Sequence, residues 1–246
     1  GAPKPTRIQG AFVTEQEIIK LAETLEYQKF IIQTNGYGIA QSDDFVIYLD
    51  SVAKRKEVCI SFSVHGHIPD IHNDLSGNEN AFENTINAIE KTSKTYCKIY
   101  TNTVINSKNK SHLKDIAHLL QSYNPEIMQF SAMHLKEKTP LSVSFRETVN
   151  AIRELKDEVS LDVLRTEGVP YCCLYGMEQC VGESSWPTVL DLYNKEDDYL
   201  NDFKQIESGM RKKMKNCNEC ILNSICMGVW KEHFSEFNEM GLHPIM

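Results

Sequence analysis

The sequence predicts an α/β fold on a parallel sheet, extended at its C-terminal end by a small cysteine-rich segment. Three observations predict it. Helical and strand-like segments alternate from Thr14 to about Leu164. The strand-like runs are mostly β-branched and continuous in apolarity, as expected of parallel strands covered on both faces. From Gly168 that rhythm stops, and Cys217, Cys220 and Cys226 follow in close spacing. The alternation calls for crossover helices outside the sheet, in either an open doubly wound sheet or a (β/α) barrel.

The elements follow in order. Thr14-Glu15-Gln16-Glu17 has a capping-box pattern, and Ile18, Leu21, Ala22 and Leu25 continue it at helical spacing. Phe30-Ile31-Ile32-Gln33 is a β-prone run stopped by Thr34-Asn35-Gly36. Asp43 to Val52 reads as a short helix, and Val58 to Val64 as a second strand ending at His65-Gly66. Ala81 to Lys91 is helical, with Phe82, Ile86 and Ile89 on one side. Tyr96 to Ile105 is a third strand, Leu113, Ile116, Leu119 and Leu120 mark a helix, and Ile127 to Phe130 is a fourth strand. Arg146 to Leu155 is helical again. Beyond Gly168 come short Cys/Gly segments, Trp186-Pro187, the acidic Glu196-Asp197-Asp198, and a helix expected from about Tyr199 to Lys215. The change of texture sets a domain boundary near Thr166.

At 246 residues the chain suits one large domain, or one domain with an appendage. A net charge of −8 without a compensating basic face argues against nucleic acid as a partner. The short cluster Arg211-Lys212-Lys213 with Lys215 reads as a solvated helix face. No apolar run is long enough to span a bilayer, so no membrane partner is expected. No signal peptide is visible, and a start at Gly1 rather than Met reads as a fragment or trimmed chain. Eight cysteines without a secretory signal favour a reducing, cytoplasmic location. Cys59 and Cys97 lie inside apolar strand-like runs and read as plain buried residues.

The tail carries the clearest chemistry. Cys217-Asn218-Glu219-Cys220 puts two thiols on one tight turn, and Cys226 can close the same face. Three thiols are an incomplete set, because zinc and iron–sulfur clusters usually take four protein ligands. Pro170-Tyr171-Cys172-Cys173 offers the fourth, with Cys172 expected and Cys173 competing. Cys180 reads as a free thiol. Structural zinc and an iron–sulfur cluster are both open to such a set.

A second cluster of polar residues lies where parallel strands end, which is where α/β folds bind ligands. Thr34-Asn35-Gly36, Ser61 and Ser63 ahead of His65-Gly66, Asn102-Thr103, and Gln129 occupy those ends. Such side chains suit a neutral polar ligand, or one whose charges are met by backbone groups. The alternative is that they end strands and make turns. They form no hydrolytic triad, paired-carboxylate site or nucleophile–base pair. His65 and His67 read as hydrogen-bonding or solvent-facing residues, and His72, His112 and His118 as structural. Met133 reads as core, and Gly36-Tyr37-Gly38 is too short for a phosphate-binding fingerprint.

The order of these pieces resembles the radical S-adenosylmethionine (radical SAM) enzymes. Gly1-Ala2-Pro3-Lys4-Pro5-Thr6 looks like a variant of that family's "GGEP" segment, with Lys4 where the family has Glu. Gln33-Thr34-Asn35-Gly36 matches a strand end where "TNG" is common, and Ile60-Ser61-Phe62-Ser63-Val64-His65-Gly66 resembles the "iSlhG" strand. His72-Asn73-Asp74-Leu75-Ser76-Gly77 with Ala81-Phe82-Glu83-Asn84-Thr85 resembles the "hD.itG...sF..t" segment, and Thr101 to Asn106 the next strand. Gly168-Val169-Pro170-Tyr171-Cys172, Cys217-x2-Cys220-x5-Cys226-Met227-Gly228-Val229-Trp230 and Gly241 to Ile245 are similar to a SPASM/twitch auxiliary-cluster region.

The resemblance implies a partial (β/α) TIM-type barrel over residues 1–165 and a cysteine-rich auxiliary iron–sulfur region over 166–246. It implies an enzyme that generates a 5′-deoxyadenosyl radical to modify a peptide, protein or cofactor precursor. The partners implied are a peptide or small-molecule substrate and an electron donor such as a flavodoxin or ferredoxin. The cofactors implied are SAM and an auxiliary [4Fe–4S] cluster on Cys172, Cys217, Cys220 and Cys226. Contacts to SAM would come from Gly1, Ala2, Thr34, Asn35, Ser61, Ser63, Asn102 and Gln129. Gly1 and Ala2 would approach the methionine end through backbone, Ser63 and Asn102 would meet carboxylate or ribose, and Gln129 would flank adenine. The family's C-x3-C-x2-C motif, which precedes the glycine-rich segment, is absent from this sequence. A second [4Fe–4S] cluster is therefore expected on a missing N-terminal segment. The competing expectation is a non-catalytic α/β binding module with structural zinc, and behind it a different α/β enzyme using the strand ends without SAM.

Overall fold

The computed structural model describes residues 15–24, 29–134, 137–182, 209–241 and 244–245. The chain divides into two compact units, Gly1–Asn102 with Leu119–Ile127, and Thr103–His118 with Met128–Met246. A five-stranded sheet runs in the order β1 (Lys29–Thr34), β2 (Glu57–Ser63), β3 (Lys98–Ile105), β4 (Ile127–Ala132), β5 (Leu164–Glu167). The pairs β1–β2, β2–β3 and β4–β5 are parallel. Strand order follows chain order, without the reversal that defines a doubly wound sheet.

In the first unit, α1 (Glu15–Thr24) precedes β1, and α2 (Tyr37–Gln41) and α3 (Asp43–Ala53) link β1 to β2. Ser42 caps α3 by accepting the Phe45 N–H at 3.2 Å, and Asp43 and Asp44 complement the helix dipole. Phe45, Leu49 and Val52 recur at helical spacing and are buried. α4 (Pro69–Ser76) opens on a proline and stops at Gly77, whose φ is 68°. α5 (Ala81–Thr92) buries Thr85, Ala88, Ile89 and Thr92, and both α3 and α5 contact β2.

Neither α2 nor α4 announces itself in the sequence. α2 is five residues long, and α4 is polar with only His72 buried, so neither carries a readable apolar stripe.

In the second unit, α7 (Phe145–Arg153) carries a complete capping box between Ser144 and Glu147. α6 (Leu113–Gln121) precedes β4. β5, unforeseen as a strand, is four residues long and pairs Ser131 with Glu167. α8 (Phe234–Glu239) packs on α7 through an edge-to-face contact of Phe237 with Phe145, centroids 6.0 Å apart.

Two expectations need correction. The helix expected to run to Lys215 does not: Arg211–Lys212 is β6, antiparallel to β7 (Val229–Trp230). Arg211 is no solvated helix residue either. It is 5% exposed, with its guanidinium carbon 3.7 Å from the Trp230 ring centroid, and His134 stacks near Trp230 at 4.6 Å. A planar cation stacks well on an indole face, and that outweighs exposure here.

The second correction concerns the sheet. Its strands are not covered on both faces. Val58, Ile60 and Phe62 of β2 alternate with half-exposed Ser61 and Ser63, and β3 alternates strictly between buried and half-buried residues. β1 alternates too, with Ile31 55% exposed. One face is the core, and the other is polar and partly open, with Cys59 buried in its middle.

Candidate metal centre and open sheet face

β5 leads into the cysteine site. After Glu167, Gly168 turns the chain at φ 78°, and Tyr171–Cys173 forms a 3-10 turn. A second 3-10 turn, Lys215–Glu219, carries Cys217, and the Cys220 N–H donates to the Cys217 carbonyl at 3.1 Å. The Cys226 N–H donates to the Leu222 carbonyl at 2.9 Å. Cys172, Cys217, Cys220 and Cys226 line one cavity of about 30 Å³, with Tyr171 and Met214 among its walls. A single water needs about half that volume.

Cys173 is fully buried and does not line this cavity. It acts on its neighbour instead. A hydrogen bond from Cys173 lowers the Cys172 thiol below its usual range, against the opposing effect of burial. Backbone N–H groups of Cys172 and Cys173 and the charge of Arg153 act in the same direction. The Cys173 thiol is correspondingly raised. Burial also raises Cys226, opposed by N–H donors at Gly228 and Tyr171, while the neighbouring Cys172 adds to the rise. Two thiolates that repel each other across a cavity are relieved by a bound cation. The N–H groups aimed at sulfur are the outer-shell donors that tune thiolate-bound centres. The four thiols are the donor set of a [4Fe–4S] cluster or a structural zinc, but no three of their sulfurs lie within 4.8 Å of one another, wider than ligands on one tetrahedral zinc. Cys180 lies apart, buried, its thiol 3.7 Å from the Leu161 carbonyl and pushed up to about 11 by burial. Cys59 and Cys97 are buried too.

On the open face, the first unit is ordered from one strand end to the other. Lys29, Glu57, Lys98 and Glu126 form a chain of ion pairs at 3.0, 3.4 and 3.2 Å near the N-terminal ends. Next come Cys59 and Tyr100, the phenol of Tyr100 raised mainly by burial. Ser61, Ser63 and Asn102 follow toward the C-terminal ends, and Ser63 is the register partner of Asn102. Three expected ligand residues thus share one face.

Thr34 and Asn35 do not join them. Thr34 is in register with Phe62, on the packed face. Its Oγ1 accepts the Gly36 N–H at 3.0 Å, and the Asn35 Oδ1 accepts the Tyr37 N–H at 3.1 Å. These are turn-making bonds. Gly36 is required there, since φ is 86° and a Cβ would lie 2.8 Å from the Ala88 Cβ. Gly1 and Ala2 lie outside the described residues, as do Trp186-Pro187 and Glu196 to Asp198.

The strand-end loops are tied together through His72. The His65 N–H donates to His72 Nδ1 at 3.2 Å, which leaves the ring proton on Nε2, 3.5 Å from the Thr85 hydroxyl. Thr85 in turn donates to the Asn35 carbonyl at 2.8 Å. Burial and the neighbouring His65 lower His72 to about 4.

In the second unit, Gln129 lies on the half-exposed side of β4. Its Nε2 donates to Ser131 Oγ and to Glu167 Oε2, both at 3.1 Å, and Ser131 Oγ donates to the same oxygen at 3.1 Å. Glu167 escaped the sequence reading because β5 was not foreseen. Once β5 is in register with β4, alternation alone places it.

No family model and no curated protein matches the chain. Among solved structures it is similar to native anSMEcpe with bound AdoMet and Kp18Cys peptide, at 18% identity over 58% of this chain and 40% of that chain, TM-score 0.42. It is also similar to native anSMEcpe with bound AdoMet and Cp18Cys peptide, at 19% identity over 58% and 40%, TM-score 0.43. Native anSMEcpe with bound AdoMet alone gives 19% identity over 58% and 39%, TM-score 0.42. The chain matches about two fifths of the length of these proteins. Among the described residues no helix is long and apolar enough to cross a membrane.

Proposed function

We propose that this chain is part of a radical SAM iron–sulfur enzyme that modifies a peptide, protein or cofactor precursor, with a partial (β/α) barrel and an auxiliary [4Fe–4S] region. The observation that carries the reading is the convergence of Cys172, Cys217, Cys220 and Cys226 on one cavity. A sheet with strands in chain order and one open polar face supports it.

In such an enzyme, SAM and a reduced cluster together supply a 5′-deoxyadenosyl radical that takes a hydrogen atom from substrate. The chain's own residues do the rest. The Cys172 thiol is lowered by its hydrogen bond with Cys173, and the N–H groups of Gly228 and Tyr171 stabilise charge on Cys226. Ser61, Ser63 and Asn102 would offer hydroxyl and amide groups to the polar parts of SAM. The ion pairs from Lys29 to Glu126 tie together the N-terminal ends of the strands. SAM cleavage in such an enzyme would need a further cluster on a C-x3-C-x2-C motif, which this sequence does not contain. The electron donor is a flavodoxin or ferredoxin, the setting is cytoplasmic, and neither nucleic acid nor membrane is engaged.

Anaerobic reconstitution with iron and sulfide tests the reading. It is expected to give a brown protein with broad absorption in the blue and matched iron and sulfide. A colourless protein with one equivalent of zinc after anaerobic purification favours the second reading, a binding module with structural zinc, because thiolates are also zinc's ligand type.

A further inference from the structure

Glu167 stands out among the charged groups of the second unit. It ends β5, on the same side as Gln129 and Ser131, and is half-buried. Both donors that reach it, Gln129 Nε2 and Ser131 Oγ, converge on Oε2 at 3.1 Å, which anchors that oxygen and leaves Oε1 over. Ser131 is itself 4% exposed, which fixes one of the two donors in the protein interior. Among the described residues no Lys, Arg or His pairs with Glu167. Its nearest cation in sequence, Arg165, directs Nη1 to the carbonyls of Leu161 and Leu164 at 3.2 and 2.7 Å.

A half-buried carboxylate gains by meeting a cation, and it is most selective when its own geometry is already set. Elsewhere on this chain, carboxylates on the sheet meet lysines: Glu57 and Glu126 both do. Glu167 is the exception, and it sits at the carboxyl end of a parallel strand, where α/β folds bind ligands. It also lies five residues before Cys172, so an extended chain puts their Cα atoms within about 18 Å of each other.

We propose that Glu167 is a substrate-recognition residue whose Oε1 accepts a hydrogen bond from an ammonium group of a peptide substrate, with Ser131 and Gln129 as its positioning residues. The inference names the substrate class of the proposed enzyme and rests on that reading for the choice of a peptide. Lysine side chains and free peptide N-termini share this chemistry.

The test uses the full chain and three fluorescent pools of seven-residue peptides, uncharged at the variable positions. One has a central lysine with a blocked N-terminus, one a central norleucine with a blocked N-terminus, and one a central norleucine with a free N-terminus. Binding is read by fluorescence anisotropy. The wild type is expected to prefer one of the two ammonium pools over blocked norleucine by about ten-fold, the scale of one charge-assisted hydrogen bond. The pool that shows the preference identifies the source. Glu167→Gln, which keeps an acceptor for Ser131 and Gln129, is expected to abolish the preference while its thermal midpoint stays put. Ser131→Ala is expected to reduce it about three-fold by freeing the carboxylate. Equal binding of all three pools by wild type overturns the proposal, as does a preference that survives in Glu167→Gln. Iron and sulfide retention after anaerobic reconstitution is measured on the same samples. A chain that retains neither, with the ammonium preference intact, counts against the radical reading alone, and the converse counts against the Glu167 site alone.

Discussion

The sheet and the cysteine segment are held by different means. In β2, Val58, Cys59, Ile60 and Phe62 are buried, and the helices α3 and α5 contact the strand. In the turn Lys215–Glu219, by contrast, no residue is buried. Burial of apolar surface therefore accounts for the sheet, at about 2 kcal/mol for each large side chain, and cannot account for the thiol-bearing turn. On the proposed reading a coordinating centre would order that turn, beside neighbouring anchors such as the Arg211–Trp230 stack.

This difference can be broken deliberately. The largest effect is expected from removing the centre. Replacing Cys217 and Cys220 together by alanine would remove two of the four proposed ligands, and metal binding free energies in small thiolate sites are about 10 kcal/mol or more. Hydrogen exchange is expected to show loss of protection over residues 211–230 with β1–β3 unchanged. Protection lost equally in both places would mean the two regions are not independently held.

The converse change strikes the sheet. Phe62→Ala empties a fully buried site and is expected to cost about 3–5 kcal/mol by denaturant unfolding, with the thiol set still able to bind metal. Next comes acid. His72 is lowered to about 4 in the folded chain, while an unfolded histidine titrates near 6.5. Between those values the unfolded state takes up a proton that the folded state does not, so stability is intact above about pH 6.5 and falls as pH drops toward 4. The loss is up to about 3 kcal/mol. His72→Gln is expected to flatten that part of the stability profile, and an unchanged slope would refute the assignment.

The smallest effect is expected from Lys98→Met, which cuts the exposed ion-pair chain through Glu57 and Glu126. It should cost under about 1 kcal/mol and less at high salt.

Much of this was legible in the residues, for physical reasons. Helices with an apolar stripe, such as α3 and α5, declare themselves by period, and so did the strands β1 to β4. Cys172, Cys217, Cys220 and Cys226 group on ligand count, and they line one cavity. Short elements stayed hidden: β5 is four residues long and mixes Leu164 and Thr166 with Arg165 and Glu167. Missing it hid Glu167, because a residue's face cannot be known before its strand is. Thr34 and Asn35 are ambiguous in another way. Their types suit ligand binding and turn making alike, and the structure shows their turn-making bonds.

The central claim is that Cys172, not Cys173, completes the thiol set of an iron–sulfur centre. The most direct measurement is iron and sulfide content with visible absorption after anaerobic reconstitution of the wild type, Cys172→Ala and Cys173→Ala. The account predicts a brown wild type, a brown Cys173→Ala chain and a Cys172→Ala chain that fails to retain the cluster. A Cys172→Ala chain as brown as the wild type, or a wild type that holds zinc and no sulfide, would contradict it.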